Sequence, residues 1–267
     1  MSLSLQLRRE WAPILFFALV VGIKSYYLII NLVGKPDLWV LLGNLGRLDT
    51  FGPGARYYLT AELSYLLYYV TALAFDALVL ASFLSRGEAK QRPQGFWENV
   101  YPLVTVFVPV LGFTVLFLPQ VRAVLPGYSE ATMAWMRDIS PLAPFFLVLG
   151  GTVIAFSGAA ISIWALSYLR RSFGLRTAVR DLVRGGPYRW VRHPLYTGEI
   201  LHLLGIAILS TKPAGLYLFA VALALQVIRA RIEERKFLKG VPEYRDYMAS
   251  TGFLWPKLAS RGRGGRS

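Results

Sequence analysis

Long apolar runs separated by short polar segments are the main feature of the sequence. A helix that crosses a bilayer needs about 20 predominantly apolar residues, and six segments approach or exceed that length. These predicted spans are 11–33, 57–84, 100–118, 141–169, 195–210 and 213–232. The fifth is short, and Lys212-Pro213 marks a tight turn between the fifth and the sixth. The pattern predicts an all-α, polytopic transmembrane bundle of about six spans that ends in a helical hairpin.

Lysine and arginine are distributed unevenly between the polar segments. If both termini lie on the same side of the membrane, the segments on that side carry 22 Lys and Arg residues and the opposite loops carry six. Cytoplasmic loops of membrane proteins are enriched in these residues. We therefore expect a multi-pass integral membrane protein whose N- and C-termini are cytoplasmic. Lys24 interrupts the first apolar run, which we expect to be a span rather than a cleaved signal.

The composition supports a membrane protein and excludes several classes of function. Hydrophobic residues make up 55% of the chain and charged residues only 16%, against about 25% charged in a typical soluble domain. The net charge of +14 comes from short loops between apolar spans, so we expect contact with anionic lipid and no nucleic-acid partner. The absence of cysteine excludes disulfides and thiolate sites, and two histidines are too few for a membrane di-iron enzyme.

The chain divides into three expected regions. They are a set of N-terminal transmembrane helices (a scaffold or a substrate-specific addition), a functional core and a disordered basic tail, at 1–140, 141–257 and 258–267. Lys24, Glu62 and Asp76 lie within spans one and two. Buried charges are costly in a membrane. These three either form a structural Lys–acid pair or take part in substrate binding, and the sequence leaves both open.

A turn and a helix start precede span five. The residue before a proline avoids helical geometry, so His193 is expected to be extended and Pro194 to begin the helix. The first backbone N–H groups of a helix lack intrahelical partners, and here they belong to Leu195, Tyr196 and Thr197. Positive charge is added by three flanking residues, Arg189, Arg192 and His193. Together they predict a site for a soluble anionic group, although Arg189 and Arg192 are equally suited to facing lipid.

A second polar stretch follows at the end of span six. Arg229 and Glu233 are four residues apart and share one face of a helix. Because spans five and six form a hairpin, we expect this pair to lie beside the turn at His193. The alternative is an ordinary surface ion pair.

Three motifs in this order resemble a known family. The chain contains G-P-Y-R-x-V-R-H-P-x-Y-x-G from Gly186 to Gly198, an apolar hairpin, E-E-x-x-x-L from Glu233, and P-E-Y-x-x-Y from Pro242. This order resembles the isoprenylcysteine carboxyl methyltransferase family and the wider group of membrane phospholipid methyltransferases. The similarity extends over roughly 165–257.

The resemblance implies a cytoplasmic pocket for S-adenosylmethionine, with S-adenosylhomocysteine as the product. The cofactor-binding residues that it implies are Arg180, Asp181, Leu182, Val183, Tyr188, His193, Pro194, Leu195, Tyr196 and Glu233. Arg229 is placed towards the substrate, Arg229 and Glu233 form the catalytic pair, and Glu199 is expected to line the substrate side. Phe173 departs from the family, because the isoprenylcysteine enzymes can have a polar cofactor contact there.

The expected function is methylation of a hydrophobic or lipid-like acceptor that arrives from the bilayer, such as a carboxylate on a prenylated substrate. The alternatives are a phospholipid-amine or small-thiol methyltransferase, an NADPH-dependent membrane sterol or steroid reductase, and a non-enzymatic membrane protein. No metal is expected, because Glu199 and His202 have a di-metal spacing without the second motif that such a site needs. Tyr244 and Tyr247 are expected to be anchors at the membrane interface.

Overall fold

The computed structural model describes most of the chain, in seven stretches. They are residues 3–34, 70–71, 73–85, 89–116, 143–174, 176–210 and 212–257, with single positions at 40, 43, 66 and 124. The predicted basic tail, Glu62 and the first part of span two (except for position 66) lie outside the described residues.

Most of the described residues are helical, as the hydrophobic pattern predicts. The helices are α1 (Leu3–Val33), α2 (Leu73–Leu84), α3 (Gly95–Asn99), α4 (Tyr101–Leu116), α5 (Ala143–Leu169), α6 (Pro194–Leu209), α7 (Pro213–Gly240) and α8 (Tyr244–Ser250). Two short 3-10 turns, Arg170–Ser172 and Gly186–Arg189, lie between α5 and α6. The predicted all-α class is therefore confirmed.

Each of the six predicted spans contains an apolar helix. Among the residues that the structure describes, three helices are long and apolar enough to cross a membrane: Pro13–Ile30, Phe146–Leu169 and Pro213–Gly240. Three more are apolar but shorter: Leu73–Leu84, Tyr101–Phe113 and Pro194–Leu209. The chain is thus an integral membrane protein, while six crossings and cytoplasmic termini stay predictions.

Helix α7 is longer than its apolar run. The predicted span ends at residue 232, whereas the helix continues without a break to Gly240. At 28 residues it is about 42 Å long, more than the roughly 30 Å of a hydrocarbon core. The residues after 232 are mostly Glu, Arg, Lys and Leu, which favour helix, and no helix breaker occurs before Gly240. The extension carries Glu233 beyond the apolar part of the helix.

Small residues allow α5 and α6 to pack with their backbones in contact. A Cβ atom added at Gly158 would lie 2.6 Å from the Gly198 carbonyl oxygen, and one at Gly205 would lie 2.5 Å from the Gly151 carbonyl oxygen. Such close approach is a common way for membrane helices to associate. It fixes the position of α6, whose first turn carries the predicted site.

Replacing Gly158 with alanine is expected to destabilise the protein. The new methyl group would meet backbone atoms of α6, which cannot move aside as a side chain can, so we expect a loss of at least about 1–3 kcal/mol. Thermal unfolding in detergent, followed by tryptophan fluorescence, measures the change. Gly150→Ala is the matched control, because it lies in the same helix and no described atom is within 4 Å of its added Cβ. Equal unfolding temperatures for the two variants would contradict this packing.

The N-terminal helices pack against the functional core. Lys24 Nζ of α1 and Asp76 Oδ2 of α2 form an ion pair at 2.5 Å, which favours the structural alternative for these two charges. Phe17 of α1 stacks on Phe83 of α2, and Phe83 in turn contacts Phe173 edge to face. These three side chains belong to one hydrophobic cluster, which includes residues on both sides of the expected division at residue 140.

Candidate active site

The turn before α6 depends on a glycine with an unusual backbone. Gly186 has φ of +55°, a value that residues with a side chain rarely adopt. A Cβ there would also lie 2.7 Å from the ring of Tyr168. Gly186 therefore allows the chain to turn tightly into the 3-10 segment that carries Tyr188, which is buried.

Helix α6 begins at Pro194, as predicted. Pro194 occupies the first helical position, and His193 is the N-cap residue. With φ of −123° and ψ of 56°, His193 is outside the helical region but is not extended, so that part of the prediction is wrong. The prediction that three backbone N–H groups at this helix start lack an intrahelical partner is wrong for one of them. The Thr197 N–H donates to the His193 carbonyl oxygen at 3.0 Å, so by position only Leu195 and Tyr196 remain for an external acceptor.

The segment after α8 is paired with the strand-like stretch before α6. Arg192 N–H donates to the Gly252 carbonyl oxygen and Gly252 N–H donates to the Trp190 carbonyl oxygen, each at 2.9 Å. His193 N–H donates to the Phe253 carbonyl oxygen at 3.2 Å. These bonds hold the backbone of the His193 turn in a single position.

Arg192 and Arg189 have different surroundings. The Arg192 Nε donates to Glu234 Oε1 at 2.6 Å, and its Nη1 donates to the Thr251 and Met248 carbonyl oxygens at 2.6 and 3.2 Å. Arg189 is exposed and lies over the Trp190 ring, with 3.8 Å from Cζ to the ring centre. Arg189 therefore lies on the surface, away from the predicted anion site. Arg192 lines the same cavity as His193, and its charge is balanced by Glu234, so its contribution to an anion site stays a prediction.

A cleft opens between the loop at 172–183, the start of α6, the end of α7 and α8. It encloses about 810 Å³ of space, a volume that includes its open mouth. Its lining includes these expected cofactor residues: Arg180, Asp181, Leu182, Val183, Tyr188, His193, Leu195, Tyr196 and Glu233. Arg229 also lines the cleft, whereas Pro194 and Glu199 do not.

Three polar groups meet at the base of the cleft. The Tyr196 hydroxyl donates to Glu233 Oε1 at 2.6 Å, and Arg229 Nε lies 3.5 Å from the same oxygen. The Arg229 guanidinium lies over the Tyr196 ring at 5.0 Å and donates from Nη1 to Thr105 Oγ1 at 3.2 Å. Arg229 is 3% exposed. The alternative of a surface ion pair is therefore wrong, because Arg229 is buried, Glu233 is half-buried and both line the cleft.

Glu199 lies next to this cluster without reaching the cleft. It is one turn after Tyr196 on α6, and its carboxylate accepts a hydrogen bond from Gln226 Nε2 on α7. His202, on the next turn, has Nδ1 2.9 Å from the Ala155 carbonyl oxygen on α5. Within the described ranges, no three His, Cys, Asp or Glu side chains are grouped as metal ligands would be.

The expectation for Tyr244 and Tyr247 is wrong. They are 3% and 5% exposed and line the cleft, so their rings are not exposed to lipid as interface anchors would be. The Tyr247 hydroxyl donates to the Tyr188 carbonyl oxygen at 2.7 Å. Burial raises the pKa of both phenols, so they stay protonated at neutral pH. Their spacing on the short helix α8 places both on one face, which is the signal in the sequence that could have identified them.

Other lining residues were not expected from the sequence. They come from the end of α5, the 172–183 loop and α7: Leu169, Ser172, Phe173, Gly174, Arg176, Ala178 and Phe237. Phe173 is buried and lines the cleft, so this departure from the family presents an apolar surface. Most of these positions belong to irregular structure, which has no periodic pattern to reveal it.

The core of this site matches a known family. Residues 141–242 match the sequence model of the phospholipid methyltransferase family. This range contains α5, α6, α7 and the 172–183 loop. The resemblance inferred from the three motifs is thereby confirmed for the wider phospholipid methyltransferase group, and the family supports a membrane methyltransferase.

Individual relatives match different parts of the chain. The cobalt-zinc-cadmium resistance protein CzcN of Cupriavidus metallidurans is 29% identical over 51% of this chain and 58% of its own length. The steroid 5-alpha-reductase DET2 of Solanum lycopersicum is 34% identical over 40% of this chain and 41% of its own. The phosphatidyl-N-methylethanolamine N-methyltransferase of Saccharomyces cerevisiae is 40% identical over 26% and 32%. The chain therefore spans less than two thirds of each of these three relatives.

Proposed function

We propose that the protein is an integral membrane methyltransferase that transfers a methyl group from S-adenosylmethionine to a hydrophobic or lipid-like acceptor. One observation supports this most directly. His193, Tyr196 and Glu233, which come from two motifs 37 or more residues apart, line a single cleft at the end of the α6–α7 hairpin. The match to phospholipid methyltransferases includes all three residues.

The lining offers a partner for each part of S-adenosylmethionine. The start of α6, with the free N–H groups of Leu195 and Tyr196, suits the amino acid carboxylate. The Glu233 carboxylate suits ribose hydroxyls or a positive charge, and the rings of Phe237 and Tyr244 suit an adenine. The donor set therefore fits the cofactor.

The bound cofactor would supply an activated methyl group together with its leaving group. The protein then has to align the acceptor and exclude water, and it needs no nucleophilic side chain. Glu233 is held by Tyr196 and Arg229, which keeps a negative charge directed into the cleft. A carboxylate acceptor needs no general base, whereas an amine or a thiol has to lose a proton.

The proposed topology explains how two unlike substrates meet. With six spans and both termini in the cytoplasm, the cleft lies at the inner membrane surface, where the polar end of α7 leaves the apolar region. The charged cofactor enters from the cytoplasm, and the lipid-like acceptor reaches Arg229 from the bilayer. Prenylated carboxylates, phospholipid amines and small thiols are the candidate acceptors, and product analysis with methyl-labelled cofactor distinguishes them.

A second candidate function is reduction with NADPH. The specific observation in its favour is the 34% identity to a steroid 5-alpha-reductase over 110 residues. The arginines of the 172–183 loop and its surroundings, such as Arg176 and Arg180, would then contact the phosphates of the dinucleotide.

Calorimetry of the purified protein in detergent distinguishes these functions. We expect S-adenosylmethionine and S-adenosylhomocysteine to bind with 1:1 stoichiometry, because the start of α6 suits one ligand carboxylate. We expect NADPH to give no heat of binding, because the acidic Glu233 also lines the cleft. Binding of NADPH alone would replace the proposal by the reductase. Binding of none of the three would favour a non-enzymatic membrane protein.

A further inference from the structure

We infer that Lys236 is a positioning residue that sets the separation between the two walls of the cleft. One wall is the 172–183 loop and the other is the end of α7. Lys236 does not itself line the cleft, and its neighbours Glu233 and Phe237 on the same helix do. The expected effect of Lys236 on catalysis rests on the proposed function. The connection that Lys236 makes between the two walls does not depend on the proposed function.

The 172–183 loop has little regular structure of its own. Beyond the short 3-10 turn at its start, it is held by a strap, residues 89–99, that leads from α2 to α4 and includes α3. Lys90 N–H donates to the Val179 carbonyl oxygen at 2.9 Å, and Val179 N–H donates to the Gln91 carbonyl oxygen at 3.2 Å. Thr177 N–H donates to the Glu98 carbonyl oxygen at 3.0 Å. The loop is therefore positioned by the strap.

Lys236 joins α7 to both the loop and the strap. Its Nζ donates to the Thr177 carbonyl oxygen at 3.2 Å and to the Arg92 carbonyl oxygen at 2.8 Å, and it forms an ion pair with the Glu98 carboxylate. An ammonium group has three donors, and here all three have partners. Lys236 is 7% exposed, so its charge is removed from water and depends on these contacts.

The consequence is a rigid link between cleft walls that are distant in the sequence. Thr177 lies 59 residues before Lys236, and Glu98 lies 138 residues before it. The neighbouring loop residues Arg176 and Ala178 line the cleft on one side, and Phe237 lines it on the other. A change in the length of this link would alter the fit of a ligand between the walls. It would leave the Tyr196, Glu233 and Arg229 cluster in place.

The test compares Lys236→Met with Lys239→Met. Methionine keeps the length of the side chain and removes the charge, and Lys239 is an exposed residue in the last turn of the same helix. In Lys236→Met we expect the Thr177 and Val179 amides to exchange about tenfold faster, and the Kd and KM for S-adenosylmethionine to rise about tenfold, because hydrogen bonds to a charged group are lost. We expect kcat at saturating cofactor to change less than about twofold. Lys239→Met should match the wild type in every measurement.

Glu98→Gln is the second variant, because it keeps an acceptor for Lys236 and removes only the carboxylate charge. It should change the same quantities in the same direction by a smaller factor, and it provides the test if Lys236→Met does not fold. The inference is overturned if the Thr177 and Val179 amides of Lys236→Met exchange at the wild-type rate. If only Glu98→Gln folds, the same result in that variant overturns it. A fall in kcat with unchanged KM also overturns it. Failure of the wild-type protein to bind S-adenosylmethionine would refute the proposed function instead, and the exchange experiment would still test the link.

Discussion

Replacing Glu233 with glutamine will weaken the binding of S-adenosylmethionine by about 100-fold, the upper range for a hydrogen bond to a charged group. Glutamine has nearly the same shape as glutamate, so the loss of affinity measures the effect of removing the negative charge. It also leaves Arg229, which is buried beside Glu233, without its closest negative partner. Calorimetry in detergent measures the affinity, and transfer of a labelled methyl group to membrane lipid measures activity, which should fall by at least the same factor.

Glu243→Gln is the matched control for Glu233→Gln. Glu243 is exposed at the start of α8 and does not line the cleft, so its variant should bind the cofactor as the wild type does. Tyr196→Phe should give an intermediate result, because it removes one hydrogen bond to Glu233 and leaves the charge. Full affinity in Glu233→Gln would show that the cofactor does not use this carboxylate.

Replacing Arg192 with methionine is expected to cost about 3–5 kcal/mol of stability, the usual effect of removing one partner of a buried ion pair. Glu234, 3% exposed, would keep only Arg231, which is on the surface, and His193 at 3.5 Å. The Thr251 and Met248 carbonyl oxygens would also lose their donor, so the C-terminal segment would be held to the His193 turn less firmly. The midpoint of thermal unfolding in detergent measures the loss.

Arg189→Met is the control, since Arg189 belongs to the same motif and is exposed over Trp190. It should change stability by less than about 0.5 kcal/mol, as surface substitutions usually do. A double variant, Arg192→Met with Glu234→Gln, should recover part of the loss because it removes the charge that was left unpaired. Equal unfolding midpoints for Arg189→Met and Arg192→Met would refute the assignment of Arg192 as the structural arginine.

The geometry of the site could be predicted in outline from the sequence. The proline after His193 defines a helix start, and the hairpin at Lys212-Pro213 returns α7 to it, so His193 and Glu233 were expected on the same side. The i,i+4 spacing of Arg229 and Glu233 predicted their shared face. The roles of these residues in cofactor and substrate binding stay predictions.

The remaining features depend on contacts that no local pattern encodes. Arg189 and Arg192 are three residues apart and chemically identical, yet one is on the surface and the other is bound to Glu234. Tyr244 and Tyr247 have the composition of interface anchors and instead form part of a cavity. In each case the deciding neighbour is distant in the sequence, so composition and spacing could not identify it.

The sequence by itself determined the helical class, the membrane location, the hairpin and the start of α6. These follow from the length of apolar runs and from proline and glycine, whose effects on the backbone are local. Only the tertiary structure decided which charges are buried in pairs, such as Lys236 with Glu98 and Arg192 with Glu234. The physical reason is that a charge can leave water only where partners from other segments surround it, and the folded chain alone brings those segments together.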